Sequence, residues 1–458
     1  MHIRKFDVDY SRRLFLERTL KGASAAGVLA PLWPMIANGS MEKAYPDELT
    51  SVEMYTKGKI KTGDFVTADN VDAVKDLLDP ITFQQVKTMG RRIKIVPTVT
   101  DPTKLHPNDF LEATLRNRGK AKIGEDGNIY AQSGERWLGG LPFTEAGTGE
   151  EAIANLTLSW GRHDYCQYAI RQWDIDPAGA QAYQYDFVWA ELQCNARLDG
   201  TVFEKGEDLL RLQSVWFTAP QDTSGSSFLS VWHYDQNKFP DLHGYLPAFR
   251  RVRQFPTNQR FEPLLPGITW FLSDAWAAGD PMMTWGNYKI IERKPMLGAV
   301  SDNWAGDKDN WEIGYHGGPK GQTFLDTNFS MCPECIVLEA EPVGYPRAPV
   351  GKKRVWIDVR NQQFIAYITY DRRGEMWKSF EPGWSQYSAG DKSVKDGKGN
   401  PAWSWTYVLS HDIQANRMSR ITHTESTTGG YKSLFSDEGV DVYNKYMTVN
   451  AISRLGAV

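Results

Sequence analysis

Residues 182–198, AYQYDFVWAELQCNARL, constrain the fold more than any other stretch of the chain. Tyr183, Tyr185, Phe187 and Trp189 fall on one face of an extended segment, and Val188, Ala190, Leu192, Cys194, Ala196 and Leu198 fall on the other, because successive strand side chains point to opposite sides. Neither face is polar, so both must be covered. At roughly 3.3 Å per residue a strand of this length would extend to about 50 Å, beyond an ordinary strand. A sheet built on it has to bend, coil or close around something. Its aromatic face is either a packing surface beneath helices or one wall of a hydrophobic pocket. On the second reading Tyr183, Tyr185, Phe187 and Trp189 are ligand-binding residues.

Further extended runs follow at short spacing, over residues 210–218, 226–234, 288–293, 335–342, 354–359, 363–370, 375–380, 404–411 and 418–424. Two tight joints, Arg360-Asn361-Gln362 and Arg372-Arg373-Gly374, make 354–380 a three-strand meander. Helical periods are few. Residues 67–78 place Val71, Val74, Leu77 and Leu78 on one face and end before Pro80, and residues 150–160 form a second helix. The 17 Trp, 20 Tyr and 20 Phe of the 458 residues suit strands and broad apolar surfaces. The fold class that follows is α+β, mainly antiparallel β.

Residues 230–256, SVWHYDQNKFPDLHGYLPAFRRVRQFP, read as two extended runs with a turn-rich joint. Trp232 and Tyr234 share a face of the first, and 245–255 forms the second, carrying Arg250, Arg251 and Arg253 between Pro247 and Pro256. Buried guanidinium groups need carboxylate or phosphate partners. Either the arginines pair with acidic neighbours and pin the strand register, or they face an anionic lipid head group or a partner protein. Trp232, Tyr234 and the three arginines join the ligand-binding candidates.

Residues 1–37 read as an export signal. Ser11-Arg12-Arg13-Leu14-Phe15-Leu16 resembles the twin-arginine pattern, with Glu17 where that pattern commonly has a lysine, and residues 22–37 supply a small-residue apolar stretch too short to remain as a membrane span. Ala37 and Ala44 are both possible ends of that signal. No cysteine precedes Cys166, so no lipid anchor is expected. The net charge of −4 makes sequence-independent nucleic-acid binding a poor fit.

The sequence carries no HExxH, GxSxG or Walker pattern. Gly147-Thr148-Gly149 before a helix resembles a dinucleotide loop, yet Glu150 and Glu151 would repel a pyrophosphate there. Cys332-Pro333-Glu334-Cys335 sits in a loop before a strand, where a redox CxxC wants a helix start. Cys166 and Cys194 do not supply the second pair of a zinc site. Disulfide bonding among Cys332, Cys335, Cys166 and Cys194 is therefore the expected use of these residues in an exported protein. His233 and His243 flank the joint before the arginine run, and no catalytic constellation forms around them. No cofactor and no metal are expected.

Several segments together resemble a bacterial family known as domain of unknown function 1329, related in fold to the lipoprotein carrier LolA and its acceptor LolB. They are GLPF at 140–143, YLPAFRRVRQFP at 245–256, SDAW and WGNYKIIERKPML within 273–297, KRVWIDVRNQQFIAYITYDRRGEMWK at 353–378 and HDIQANRMS at 411–419. The resemblance implies one LolA/LolB-like domain over 41–458 with an N-terminal helical part: a strongly curved sheet forming an incomplete barrel, with helices on the concave side. It also implies export to the periplasm and handling of a lipid or other hydrophobic molecule, in company with an outer-membrane protein or membrane transporter. The expected function is a non-catalytic carrier. The alternatives are an exported enzyme, either a hydrolase or a Cys/His metal enzyme, and an interaction module of an outer-membrane or transporter assembly.

Overall fold

The computed structural model describes residue 45 and residues 47–158, 161–256, 260–274 and 280–455. The export signal expected at 1–37 lies outside the described residues.

Fifteen strands make one sheet. In chain order they are β1 Phe65–Val66, β2 Ile93–Ile95, β3 Tyr165–Ile175, β4 Gln181–Gln193, β5 Leu209–Ala219, β6 Ser227–His233, β7 Asp241–Leu246, β8 Arg251–Phe255, β9 Gly286–Gly298 and β10 Thr327–Glu341. The remainder are β11 Val350–Asp358, β12 Gln363–Asp371, β13 Met376–Gln386, β14 Trp403–Asp412 and β15 Arg417–His423. The spatial order is β1-β2-β10-β11-β12-β13-β14-β15-β3-β4-β5-β6-β7-β8, with β9 also paired to β10. The pairing is antiparallel except where β2 meets β10, and the path from β1 to β8 does not close on itself. The meander expected at 354–380 is β11-β12-β13.

Among the described residues the helices, in chain order, are α1 Asp47–Thr50, α2 Val52–Tyr55, α3 Pro80–Met89, α4 Asn108–Asn117, α5 Gly149–Leu158, α6 Val442–Tyr446 and α7 Val449–Leu455. The helix expected at 67–78 is a 3-10 segment, Val71–Leu77, broken by non-helical geometry at Val74. Pro80 opens a helix instead of ending one: the Asp79 side chain accepts from the amides of Ile81 and Thr82 at 3.0 Å, and a proline lacking its amide is well placed in a first turn. Gly90, at φ 73°, ends α3 in the left-handed conformation that glycine adopts most easily.

The aromatic strand is shorter than its pattern suggests. β4 stops at Gln193, and Ala196 takes a positive φ of 55°, so residues 194–198 turn away from the ladder. Both of its faces are covered, as the alternation requires. Phe187 and Trp189 join the main core with α5, while Val188, Ala190 and Leu192 pack with Trp216 under Val442, Tyr446 and Met447 at the C-terminus.

The arginine run is not one strand. Pro247–Phe249 form a 3-10 turn with Arg250 at φ 51°, and β8 folds back on β7 with Arg251 opposite Leu246. Pro247 fixes its own φ and offers no amide to a ladder, so the extended chain breaks there.

Candidate binding site

A cavity of about 40 Å³ is lined by Ile170, Phe187, Trp189, Trp270, Phe380, Trp405, Val408 and Ile421. Its walls come from β13, β14, β15, β3 and β4, five consecutive strands of the sheet. Every lining residue is apolar or aromatic, which is the lining that favours an apolar guest over water.

Trp270 comes from the connection between β8 and β9, which crosses the aromatic face of β4. The Tyr185 hydroxyl donates to the Pro266 carbonyl at 2.8 Å, and Gly267 lies so close to Tyr183 that a Cβ there would stand 2.3 Å from its ring. The Trp270 indole donates to Gln172 Oε1 at 3.1 Å, and Thr269 Oγ1 lies at hydrogen-bond distance from both Ser410 Oγ and Ser419 Oγ, 3.0 Å from each. Ile268, Trp270, Phe271 and Leu272 are all buried in the main core. The crossing segment thus presses an apolar stripe onto the sheet, and Trp270 closes the cavity.

Next to the cavity lies a row of polar side chains. Lys353, Thr369, Lys378 and Asp412 stand opposite one another across β11, β12, β13 and β14. Directly opposed residues share a face of the sheet with Cβ atoms about 5 Å apart. Lys353, Thr369 and Lys378 are buried at 0 %, 0 % and 3 % exposure. Phe380, two residues beyond Lys378 on the same strand face, lines the cavity.

The crossing segment supplies the groups that meet this row. Lys353 Nζ donates to the Ser273 carbonyl, the Tyr367 hydroxyl donates to the Asp274 carbonyl, and Lys378 Nζ stands 3.0 Å from the centre of the Phe271 ring. The Asp274 carboxylate lies between the two ammonium groups, 3.8 Å from Lys353 and 3.6 Å from Lys378. Both distances exceed a hydrogen bond. Among the described residues Lys378 Nζ, Thr369 Oγ1 and Asp274 Oδ1 have no hydrogen-bond partner. Burial lowers the Lys378 ammonium to about 8 against the opposing pull of Asp274, and burial lowers Lys353 as well. Asp280, by contrast, is saturated: it accepts from Arg260 at 2.6 Å, Trp285 at 2.8 Å and Tyr345 at 2.8 Å.

The candidates read from the sequence are only partly gathered here. Phe187 and Trp189 line the cavity. Tyr185 is buried beside it, whereas Tyr183 is 42 % exposed and stacks on Tyr185 with ring centres 6.1 Å apart. Trp232 is buried between the Arg211 and Arg260 guanidinium groups, 4.8 and 5.3 Å from its ring centre. The Tyr234 hydroxyl accepts from the Trp137 amide at 2.7 Å and donates to the Ile129 carbonyl. Both are structural pins and neither lines the cavity. Arg250, Arg251 and Arg253 are exposed at the β8 edge, four strands beyond β4, or about 19 Å at the usual strand spacing. Arg253 stacks on the exposed Phe249 ring at 4.0 Å. His233 pairs with Asp241 at 3.2 Å.

All four cysteines are buried and no disulfide links them in the structure, although Cys332 is close enough to Cys335 to help raise its thiol above the ordinary value, after burial. Cys332 and Cys335 lie inside β10, not in a loop before a strand. Cys194 packs in the core under the C-terminal helices, whereas Cys166, Cys332 and Cys335 belong to the main core, so Cys194 faces away from the other three. The glycine loop before α5 binds its own helix: Glu151 Oε2 accepts from the amides of Gly147 and Thr148 at 2.6 and 3.2 Å, where a phosphate would need to sit.

Sequence reading missed Trp270, Phe380, Trp405, Val408 and the lysine row. Trp405 and Phe380 lay in recognised strands, but which strands are neighbours was not legible; Trp270 lay in a segment with no periodicity at all.

A second opening, of about 370 Å³, is lined by Trp304, Trp311, Lys308, Lys392, Asp309, Glu425 and others. Its charged rim does not resemble a shelter for an apolar molecule. Among the described residues no helix is long and apolar enough to cross a membrane.

The model of a family described as "Protein of unknown function (DUF1329)" matches residues 65–453. No curated protein matches. Among solved structures, a domain described as an outer membrane lipoprotein-sorting protein from Vibrio parahaemolyticus is 15 % identical, with 67 % of this chain and 97 % of that one covered and a TM-score of 0.41. A DUF1329 family protein from Desulfovibrio piger is 13 % identical, with 64 % and 95 % covered and a TM-score of 0.40. A LolA superfamily protein from Nitrosomonas europaea is 13 % identical, with 61 % and 92 % covered and a TM-score of 0.35.

Proposed function

We propose that this chain, which belongs to the DUF1329 family, is a non-catalytic carrier that shelters a lipid or other hydrophobic molecule against the aromatic face of its sheet. The observation that carries this reading is the cavity itself: Phe187, Trp189, Trp270, Phe380 and Trp405 converge on a space with no polar wall. At 40 Å³ the closed form holds a group of about one or two waters' size. A longer guest enters by displacing Trp270 and the apolar stripe around it, which now lie where the guest would lie. Each methylene then buried contributes about 0.8 kcal/mol. In this reading the sheet forms a trough, the incomplete barrel of the sequence expectation, and the crossing segment is its removable filling.

The carrier acts in the periplasm after export on the twin-arginine-type signal. Arg250, Arg251 and Arg253, on an exposed edge strand away from the cavity, serve contact with an outer-membrane protein, a membrane transporter or an anionic lipid surface.

Val408→Phe tests the reading by filling the cavity from a wall position. Overpacking of this kind costs about 1–3 kcal/mol, so the fold survives. Titration with the neutral apolar dye N-phenyl-1-naphthylamine is expected to show saturable binding to the unmodified chain and at least tenfold weaker binding to the variant. Equal binding by both would remove the cavity from the account.

A further inference from the structure

We infer that the β8 edge is the face with which the carrier docks on an anionic lipid bilayer, the guest passing between bilayer and cavity along a line of phenylalanine rings that joins the two. The inference rests on the carrier reading and commits the arginine edge to one of the three partners named for it.

Charge is the first ground. Arg250, Arg251 and Arg253 are exposed on the turn and strand that end the sheet, and among the described residues none of them is paired with a carboxylate. Asp241, on the adjoining strand, is taken by His233 at 3.2 Å and by Gln254 at 3.0 Å. The chain as a whole carries −4, so an attraction to negative charge belongs to this edge and not to the molecule. Free guanidinium groups hold phosphate oxygens through paired N–H donors, and basic residues at a surface are drawn to anionic lipid within a Debye length. A bilayer offers its phosphates at any spacing, so it needs no matched set of carboxylates.

The turn is the second ground. Phe249 is 48 % exposed, and the Arg253 guanidinium stands 4.0 Å from its ring centre. An exposed aromatic ring flanked by cations suits the membrane interface, where the ring enters the acyl boundary and the cations stay at the head groups.

Position is the third. Trp189, Val215, Phe228, Gly244 and Arg253 stand opposite one another from β4 through to β8, so the cavity wall and the arginine edge lie on one face of the sheet. On that face Phe187, Phe217, Phe228 and Phe255 run from the cavity to β8 with successive ring centres 5.1, 6.4 and 6.1 Å apart. Gly244 closes the line: a Cβ there would stand 2.4 Å from Phe255 Cε2 and 3.0 Å from Phe228 Cδ1, so glycine lets the two rings meet across β7. Phe187 lines the cavity, and Phe255 lies two residues beyond Arg253 on the same strand face. The crossing segment reaches this line too, through Tyr185, which is bonded to Pro266 and meets the Phe217 ring edge-on. The apolar surface of the cavity thus continues to the edge where the free cations stand.

The test is co-sedimentation of the full chain with vesicles of phosphatidylcholine and with vesicles of phosphatidylcholine and phosphatidylglycerol in equal parts, at physiological salt. At roughly fivefold per basic residue near an anionic surface, the three arginines are expected to give the mixed vesicles at least tenfold the affinity of the neutral ones. Arg250→Gln/Arg251→Gln/Arg253→Gln is expected to abolish that preference, and Phe249→Ser to weaken binding to the mixed vesicles severalfold while keeping it. Lys57→Gln/Lys59→Gln/Lys94→Gln takes the same charge from exposed positions at and before β1 and β2, the opposite end of the sheet, and is expected to bind as the unmodified chain does. Titration with N-phenyl-1-naphthylamine is expected to be the same for every variant, since none of these residues lines the cavity. Equal binding to neutral and mixed vesicles overturns the inference, as does an equal loss on changing the lysines. Binding to neither vesicle also overturns it and gives the edge to a protein partner. With dye uptake intact, all three results leave the carrier reading standing; failure of the unmodified chain to take up the dye overturns that reading instead.

Discussion

Arg91 shows how much of this molecule is held by single buried residues. Its Nη1 donates to Gln85 Oε1 and Glu381 Oε2 at 2.6 and 2.8 Å, and its Nη2 donates to Glu381 Oε1 at 2.7 Å. Tyr407 donates to the same carboxylate at 2.8 Å. The pair, at 0 % and 5 % side-chain exposure, ties the end of α3 to β13. Removing one member of such a pair leaves an uncompensated buried charge, at a cost of about 3–5 kcal/mol. Arg91→Met is accordingly expected to lower the midpoint of urea unfolding sharply, and Arg91→Met/Glu381→Gln to recover part of the loss.

Titration also belongs to the residue scale. His106, His411 and His423 are buried, and burial lowers them to about 3, 4 and 3. Between those values and the ordinary 6.5 the unfolded chain binds the extra protons, so stability is complete above 6.5 and is lost as pH falls through the window. Lys378, lowered to about 8 by burial, acts at the other end. The unfolded chain holds the additional proton between 8 and 10.5, so relief of the buried charge adds roughly 3 kcal/mol as pH rises across that range. Asp274, Asp412 and Lys353 are the charges acting on it. Unfolding midpoints measured from pH 7 to pH 10 are expected to rise more in the unmodified chain than in Lys378→Met. A parallel rise in both would show that Lys378 is not the titrating group.

At the scale of elements, the alternation in β4 was the most dependable signal. It gave a strand covered on both faces, and the structure supplies α5 with the crossing segment on one side and α6 and α7 on the other. The C-terminal helices themselves were not legible. Five and seven residues long, they are too short to show a period, and helices of that length form through packing. Truncation before Val442 would expose Val188, Leu192 and Trp216; the expected result, read by size-exclusion chromatography, is aggregation in place of a monodisperse peak. The arginine run is two strands with a 3-10 turn between them and not one extended run, and exposed edge arginines and buried lysines carry the same charge in a sequence. Lys353 and Lys378 look like surface residues at the two ends of the meander until strand pairing sets them in one row.

For the whole molecule, the family resemblance was legible from five segments and is borne out over 65–453, and an antiparallel, strand-dominated sheet was legible from the succession of extended runs. Burial of cation and carboxylate together, and the passage of residues 260–274 over the sheet, are products of long-range packing, which leaves no local pattern. The account therefore stands on one claim, that the crossing segment occupies a guest's place. Mass spectrometry of the organic extract from folded protein, purified out of the compartment in which it matures, tests it most directly. The expected result is a stoichiometric hydrophobic molecule that is absent from Val408→Phe; an extract holding no hydrophobic molecule, with the unmodified chain also failing to take up any from vesicles, would contradict it.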